Sequence, residues 1–366
     1  MKKWLALLLA VVLSGVIFAA GCGDEEAEPD PDADPSDDPE ETFELLIATF
    51  EARETGYMTD GIIQFAEDLE DRSDGRVETE ISFGGEMGEI PEHYDLVHQG
   101  VVDMAFAPTF MVPGVFPLAD ITTLPWRFES SQHSTEVMQR MYQQGYLDEA
   151  YDEGVKPIFV SAAESDELYH INKPVHRPED IEGERIIARS WGNIQSVERM
   201  GASSAMFAGP EVYEALDRGT VEGQIVGRAA APTWGWCEVM EYQTPKFQGT
   251  AKWAFFINEN TYNDLPEDIQ EIIDDMASDN TYGDIGARNL DQMAEEAQEC
   301  LDEHGVEKVD WEQETWDELD ELFAPIWEEW IQEREEMGLP AEEAVDAMYE
   351  IMQETGAEDP AIGYTP

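Results

Sequence analysis

Residues 174–224 constrain this chain more than any other stretch: PVHRPEDIEGERIIARSWGNIQSVERMGASSAMFAGPEVYEALDRGTVEGQ. A short β-segment at 185–188 follows the turn at Gly183. Residues 193–200 carry apolar or small side chains at helical spacing and stop at Gly201. Residues 202–208 read as a second strand. Pro210 opens a helix at the first-turn position, where the missing N–H is tolerated. That helix ends at Gly219, and Val221 begins a third strand. Strand and helix alternating over about fifty residues predict parallel strands joined by crossover helices. Such sheets bind ligands at the carboxyl ends of their strands.

The rest of the chain supplies a second unit of the same kind. Residues 43–49, 77–81, 101–106 and 156–161 read as strands, with helices over 57–71, 91–99 and 134–151. Residues 168–172 are expected to cross into the second unit and 253–258 to return. A helical region then runs from 265 to 304, interrupted near 280–283. Leu319, Leu322, Phe323, Ile326, Trp327 and Trp330 form one stripe of a later helix, read as a packing face. Residues 341–355 form one more helix.

Met1 to Ala20 has Lys2 and Lys3 before an apolar run, followed by Gly21-Cys22, which is a secretory leader and too short for a span. The run from Ala19 to Cys22 resembles a lipobox, with Cys22 as the lipidated residue. Residues 24–41 are acidic and proline-rich, a composition that buries no core and serves as a tether. The 83 acidic residues against 20 basic ones, a net charge of −63, exclude a nucleic-acid footprint. Acids spread over the whole surface suit high salt, which screens their repulsion. Cys237 and Cys300 lack framework spacing and read as two buried thiols, with a bridge as the alternative. No Gly-x-Ser-x-Gly, HExxH or phosphate-loop pattern is present, so neither an enzyme nor a cofactor is expected.

The order P-E-D-x-x-G, a basic strand, G-A, then PEVYEALDRGTVEG resembles the solute-binding subunits of tripartite ATP-independent periplasmic (TRAP) transporters, the DctP-like family. Gly100-x-x-Asp-Met-Ala and the proline-bracketed loop from Pro113 to Trp126 agree with it, and the resemblance spans about residues 43–335. It implies an α/β, two-domain periplasmic-binding-protein fold with a hinge and an interdomain ligand cleft. Residues 1–21 would be the leader and 22–42 the tether. Domain I would take 43–164 and 251–292, domain II 165–250 and 293–340, and 341–366 would be an extension. It further implies an extracytoplasmic, membrane-anchored subunit that captures a small organic solute, chiefly a carboxylate, and hands it to membrane permease subunits. A ligand sensor would use the same fold.

The family's carboxylate-gripping arginine falls four residues after the turn glycine, where this chain has Ile187. Side chains alternate along a strand, so Arg185, Ile187 and Arg189 are expected to share a face, which makes Arg189 the substitute. Arg228, after the third strand, is a second candidate. Glu167 on the crossover, with Tyr169, Trp191, Trp234 and Trp236, would suit a cationic or zwitterionic solute instead. By position, Phe207, Pro210 and Gln224 are expected on one wall of the cleft. Phe50, Met87, Thr109 and Phe110 are expected on the other.

Overall fold

The first parallel unit is built on a strand buried on both faces. All five residues of β3 (Met104–Pro108) are buried, as a middle strand covered by helices requires. Around it lie β1 (Phe43–Ala48), β2 (Val77–Ser82), β4 (Val155–Ala162) and β10 (Lys252–Asn258), in the order β2-β1-β3-β10-β4. Strand β1 is parallel to β2 and β3, so each connection needs a crossover. Helices α1 (Thr59–Arg72) and α2 (His93–His98) supply them, and α3 (Ser131–Gln143) leads into β4. These coordinates are a computed structural model that describes residues 41–54, 56–112, 114–147, 154–207 and 209–366, with residues 209 and 210 described by their backbone alone. The leader, the lipidation at Cys22 and nearly all of the tether lie outside the described residues.

The second sheet contains β5 (Glu167–His170), β6 (Arg185–Ile187), β7 (Ser203–Ala205), β8 (Gly223–Val226), β9 (Tyr242–Gln243) and β11 (Glu307–Lys308), in the order β11-β9-β5-β8-β6-β7. Strand β6 runs parallel to β7 and β8, joined through α4 (Trp191–Arg199) and α5 (Gly209–Asp217). This is the alternation expected over 174–224, although the second strand is three residues rather than seven.

Between the sheets the chain passes out and back as two adjacent backbone segments. Ala163 N–H donates to Ala251 O at 3.1 Å, and Asp166 N–H donates to Gln248 O at 3.0 Å. The return segment presses against the first unit at Gly249, where a Cβ would stand 2.1 Å from Thr122 O. At the start of α4 a Cβ on Gly192 would stand 1.7 Å from Thr123 O. Glycine at both positions lets the two units meet backbone to backbone.

The remaining helices are α6 (Glu259–Asp264), α7 (Glu267–Ala277), α8 (Thr281–Glu303), α9 (Gln313–Glu336) and α10 (Ala341–Glu354). The break expected near 280 is set by Asn280, at φ 56°, a conformation asparagine tolerates. Its side chain bonds both Val160 N–H (2.9 Å) and Val160 O (3.1 Å). On α9, Leu319, Phe323, Ile326, Trp327 and Trp330 are buried, and Trp327 meets Trp126 edge-on at 4.8 Å, which is the packing face the stripe implied. Helix α10 buries Ala344, Val345, Met348 and Ile351, and its end is tied to α3 by Arg140–Glu354 and by His133 on Thr355 at 2.9 Å.

One expectation changes. Cys237 and Cys300 form a disulfide with Cα atoms 6.1 Å apart, joining the turn at Trp236–Glu238 to α8. Linear spacing could not show this, because the partners are 63 residues apart and meet only when α8 lies beside that turn. A chain-entropy treatment of a loop that long gives about 4 kcal/mol of stabilisation. Reduction, or Cys300→Ser, should therefore lower the unfolding midpoint in thermal denaturation; an unchanged midpoint would show that the bridge adds nothing.

Candidate ligand-binding site

The outgoing segment between the sheets carries three acids, Glu164, Asp166 and Glu167, all buried. A buried carboxylate requires a counter-charge or hydrogen-bond donors, and the second sheet provides both in two separate sets.

The first set surrounds Arg228, which follows β8 directly. Its Nε stands 3.1 Å from Glu164 Oε1, its Nη2 pairs with Glu167, and its Nη1 donates to Gln298 Oε1 at 2.8 Å. Lys246 pairs with the other Glu164 oxygen. Glu167 Oε2 accepts Tyr169 OH at 2.7 Å and Gln243 Nε2 at 2.5 Å. Two cations thus offset two carboxylates, and both oxygens of Glu167 are occupied. Burial still raises the Glu167 carboxyl above the usual range, with Arg228 opposing it. Beside this set lies a cavity of ≈ 890 Å³ lined in part by Arg127, Lys246, Lys308 and Trp316. Its flanking cations are engaged as well, Arg127 with Asp359 at 3.0 Å and Lys308 with Asp302 at 3.3 Å.

The second set surrounds Arg189. Ser190 caps α4 by accepting the Asn193 N–H at 3.2 Å, which places Arg189 at the mouth of that helix. Arg189 Nη2 donates to Gln224 Oε1 at 3.3 Å, and its Cζ lies 5.7 Å from the Trp236 ring centre. Burial lowers its pKa, and Asp166 pulls the other way. Asp166 accepts Asn193 Nδ2 at 2.9 Å, and burial pushes its carboxyl up to about 7. Among the described residues, no carboxylate forms an ion pair with Arg189. Gln224 Nε2 and Asn193 Oδ1 are buried without a hydrogen-bond partner, a condition that costs about 1–3 kcal/mol per atom unless a ligand or water relieves it.

In the first unit, the carboxyl ends of β1 and β3 carry an aromatic tier. Phe50 stacks on Phe106 at 5.5 Å, Tyr57 tilts on Trp253 at 5.1 Å, and Phe110 meets Trp253 edge-on at 6.0 Å. Next to Phe50, Glu51 is 5% exposed; one oxygen accepts Met58 N–H at 2.8 Å and the other has no partner. Burial lifts its carboxyl from 4.5 to about 8.

The structure therefore pairs Arg189 with Gln224 and Arg228 with Glu167. Ile187 is fully buried with Tyr169, Val212, Leu216 and Val221 in the core of the second unit. Arg185, by contrast, is exposed and donates to Thr220 O, and Arg189 lies two residues beyond the end of β6, outside the strand alternation that the expected shared face assumes. Trp191 is half-buried, with its ring 5.1 Å from Arg334 of α9. Phe207 packs on the second unit's core and Met87 on the first's. Pro210 lies in the first turn of α5, with its side chain undescribed. Asp166, Asn193, Glu164, Gln243 and Gln298 escaped the sequence reading. Acids and amides at those places have no contrast in a chain with 83 acids, and they are gathered by the pairing of β5 with β9 together with side chains from α4 and α8.

The family model described as bacterial extracellular solute-binding protein, family 7 (DctP) matches residues 49–333. A solute-binding protein from Chromohalobacter salexigens is 24% identical over 220 residues, covering 59% of this chain and 64% of that protein, so the match spans just under two thirds of the relative. The ectoine-binding periplasmic protein TeaA of Halomonas elongata is 25% identical over 250 residues, 64% of this chain and 68% of that protein. A crystal structure of a marine metagenome TRAP solute-binding protein specific for aromatic acid ligands, with 3-hydroxybenzoate, has a TM-score of 0.77 at 18% identity. It covers 87% of this chain and 100% of that one, a likeness of fold.

Glu51 gives this region a pH signature. Its folded pKa of about 8 exceeds the ordinary 4.5, so between those values the folded state holds a proton that the unfolded chain releases. The corresponding stability is full below pH 4.5 and is lost as pH rises through 8. Denaturant unfolding from pH 5 to 9 should show that decline in the native protein and a flatter profile in Glu51→Gln; parallel profiles would refute the assignment.

Proposed function

The chain belongs to bacterial extracellular solute-binding protein family 7, the DctP-like binding subunits of TRAP transporters, and from that premise we propose that it captures a small carboxylate through Arg189. The supporting observation is the contrast between the two buried arginines. Arg228 is neutralised by Glu164 and Glu167, whereas Arg189 keeps an unpaired guanidinium beside a free amide group on Gln224. A planar guanidinium binds a carboxylate through two parallel hydrogen bonds, and burial strengthens both. Arg228 instead holds the segment between the sheets in place by neutralising it.

Domain I (43–164, 251–292) and domain II (165–250, 293–340) close on the solute about the paired segments at 162–167 and 247–252. The solute drives closure to the extent that it binds the closed form better. The aromatic tier of Phe50, Tyr57, Phe110 and Trp253 forms the opposing wall. The closed form is the one delivered to the membrane permease subunits. Residues 1–21 direct export, Cys22 carries the lipid anchor, and the acidic tether lets the folded part stand off the membrane. The chain's net charge of −63 is suited to strong brine, where screening removes most of the self-repulsion.

Two substitutions separate the arginines. Arg189→Ala should weaken binding of carboxylates by at least about 30-fold in calorimetry, the lower end of the 2–5 kcal/mol expected for truncating a buried charge contact. Arg228→Ala should lower the unfolding free energy by about 3–5 kcal/mol, because buried Glu167 loses its cation and Glu164 one of its two. Unaltered carboxylate affinity in Arg189→Ala would overturn the proposal.

A further inference from the structure

The two unpartnered atoms beside Arg189 are of opposite kind, and their neighbours determine which is which. Arginine has no acceptor, so Gln224 must turn its oxygen to Arg189, leaving the donor Nε2 free. Asn193 donates through Nδ2 to Asp166, leaving the acceptor Oδ1 free while Asp166 is ionised. Gln224 is completely buried and Asn193 is 4% exposed, so neither finds bulk water. The vacant positions thus comprise a guanidinium and an amide N–H, suited to a carboxylate, and one oxygen, suited to a donor. Asn193 N–H donates to the hydroxyl of Ser190, the residue next to Arg189, at 3.2 Å at the start of α4, so the carboxylate and donor positions are neighbours.

We infer that the solute is a carboxylate with a hydrogen-bond donor, hydroxyl or ammonium, on the adjacent carbon, and that Asn193 reads this donor. The inference rests on Arg189 being the carboxylate anchor and adds a specificity residue to that site. A carboxylate without the donor would leave Asn193 Oδ1 buried and unsatisfied, and sites built to bond a polar group reject analogues that lack it strongly. The charge at Asp166 bears on which donor is preferred, since an ionised carboxylate next to Asn193 favours ammonium over hydroxyl.

Calorimetry on the full chain with matched trios tests this: propionate, lactate and alanine, then phenylacetate, mandelate and phenylglycine. In at least one trio the hydroxy or amino member should bind at least about 10-fold tighter than the unsubstituted acid. Asn193→Ala should bring that ratio to within about 2-fold. Asn193→Asp keeps an acceptor oxygen in nearly the same shape; it should retain the preference and shift it toward the amino member. Ratios near one in the native protein, or a ratio untouched by Asn193→Ala, overturn the inference. If the acids still bind in that case and Arg189→Ala releases them, the carboxylate reading stands; if no acid binds, both fall.

Discussion

The burial of three carboxylates on one short segment underlies the rest of this structure. Glu164, Asp166 and Glu167 lie where the chain passes between sheets, and each must be buried for the two units to come together. Moving an ion out of water is costly, and attraction to a counter-ion repays it only in good geometry with the remaining lone pairs filled. Arg228, Tyr169 and Gln243 meet that requirement around Glu167, while Glu164 has the charges of Arg228 and Lys246 beside it but no hydrogen bond on its Oε1. Asp166 is treated differently: it holds one amide bond from Asn193 and faces Arg189 at longer range. The unequal treatment leaves one cation with spare bonding capacity, and the site follows from it.

Backbone contact between the two units keeps these networks in register. Gly192 and Gly249 let the start of α4 and the return segment touch Thr122 and Thr123 with no side chain between them. Arg334 of α9 adds a second tie: it donates to Pro117 O at 3.3 Å and lies 5.1 Å from the Trp191 ring and 4.9 Å from the Trp330 ring. Trp191 adjoins the Ser190 cap, so movement of α9 against the first unit would be felt two residues from Arg189. The disulfide between Cys237 and Cys300 holds the turn bearing Trp236, whose ring lies beside Arg189, against α8.

Much of the fold was legible in the chain because it depends on local periodicity. The alternation over 174–224, the packing stripe on α9 and the break at Asn280 each depend on a few consecutive residues, and each appears where the spacing placed it. The site was legible only in part. Arg189 and Gln224 were named from their places near strand ends, and they do bond to each other. The displaced arginine position at Ile187 became a core residue, buried with Val212 and Leu216. Glu167, named with a cationic solute in view, has its oxygens taken by Arg228, Tyr169 and Gln243.

The order of strands and helices and the family were determined by the sequence alone, because residue types at short spacing encode turns, amphipathic faces and motif glycines, whereas the charge of the solute was left open between a carboxylate and a cation or zwitterion. Which of two arginines is available was decided by the tertiary structure. Neutralisation depends on distances of about 3 Å between residues 60 to 70 positions apart, such as Arg228 with Glu167 and Gln298. No linear pattern carries such distances in a chain with 83 acids. Folding brings two of those carboxylates to Arg228 and leaves Arg189 bonded to the Gln224 amide.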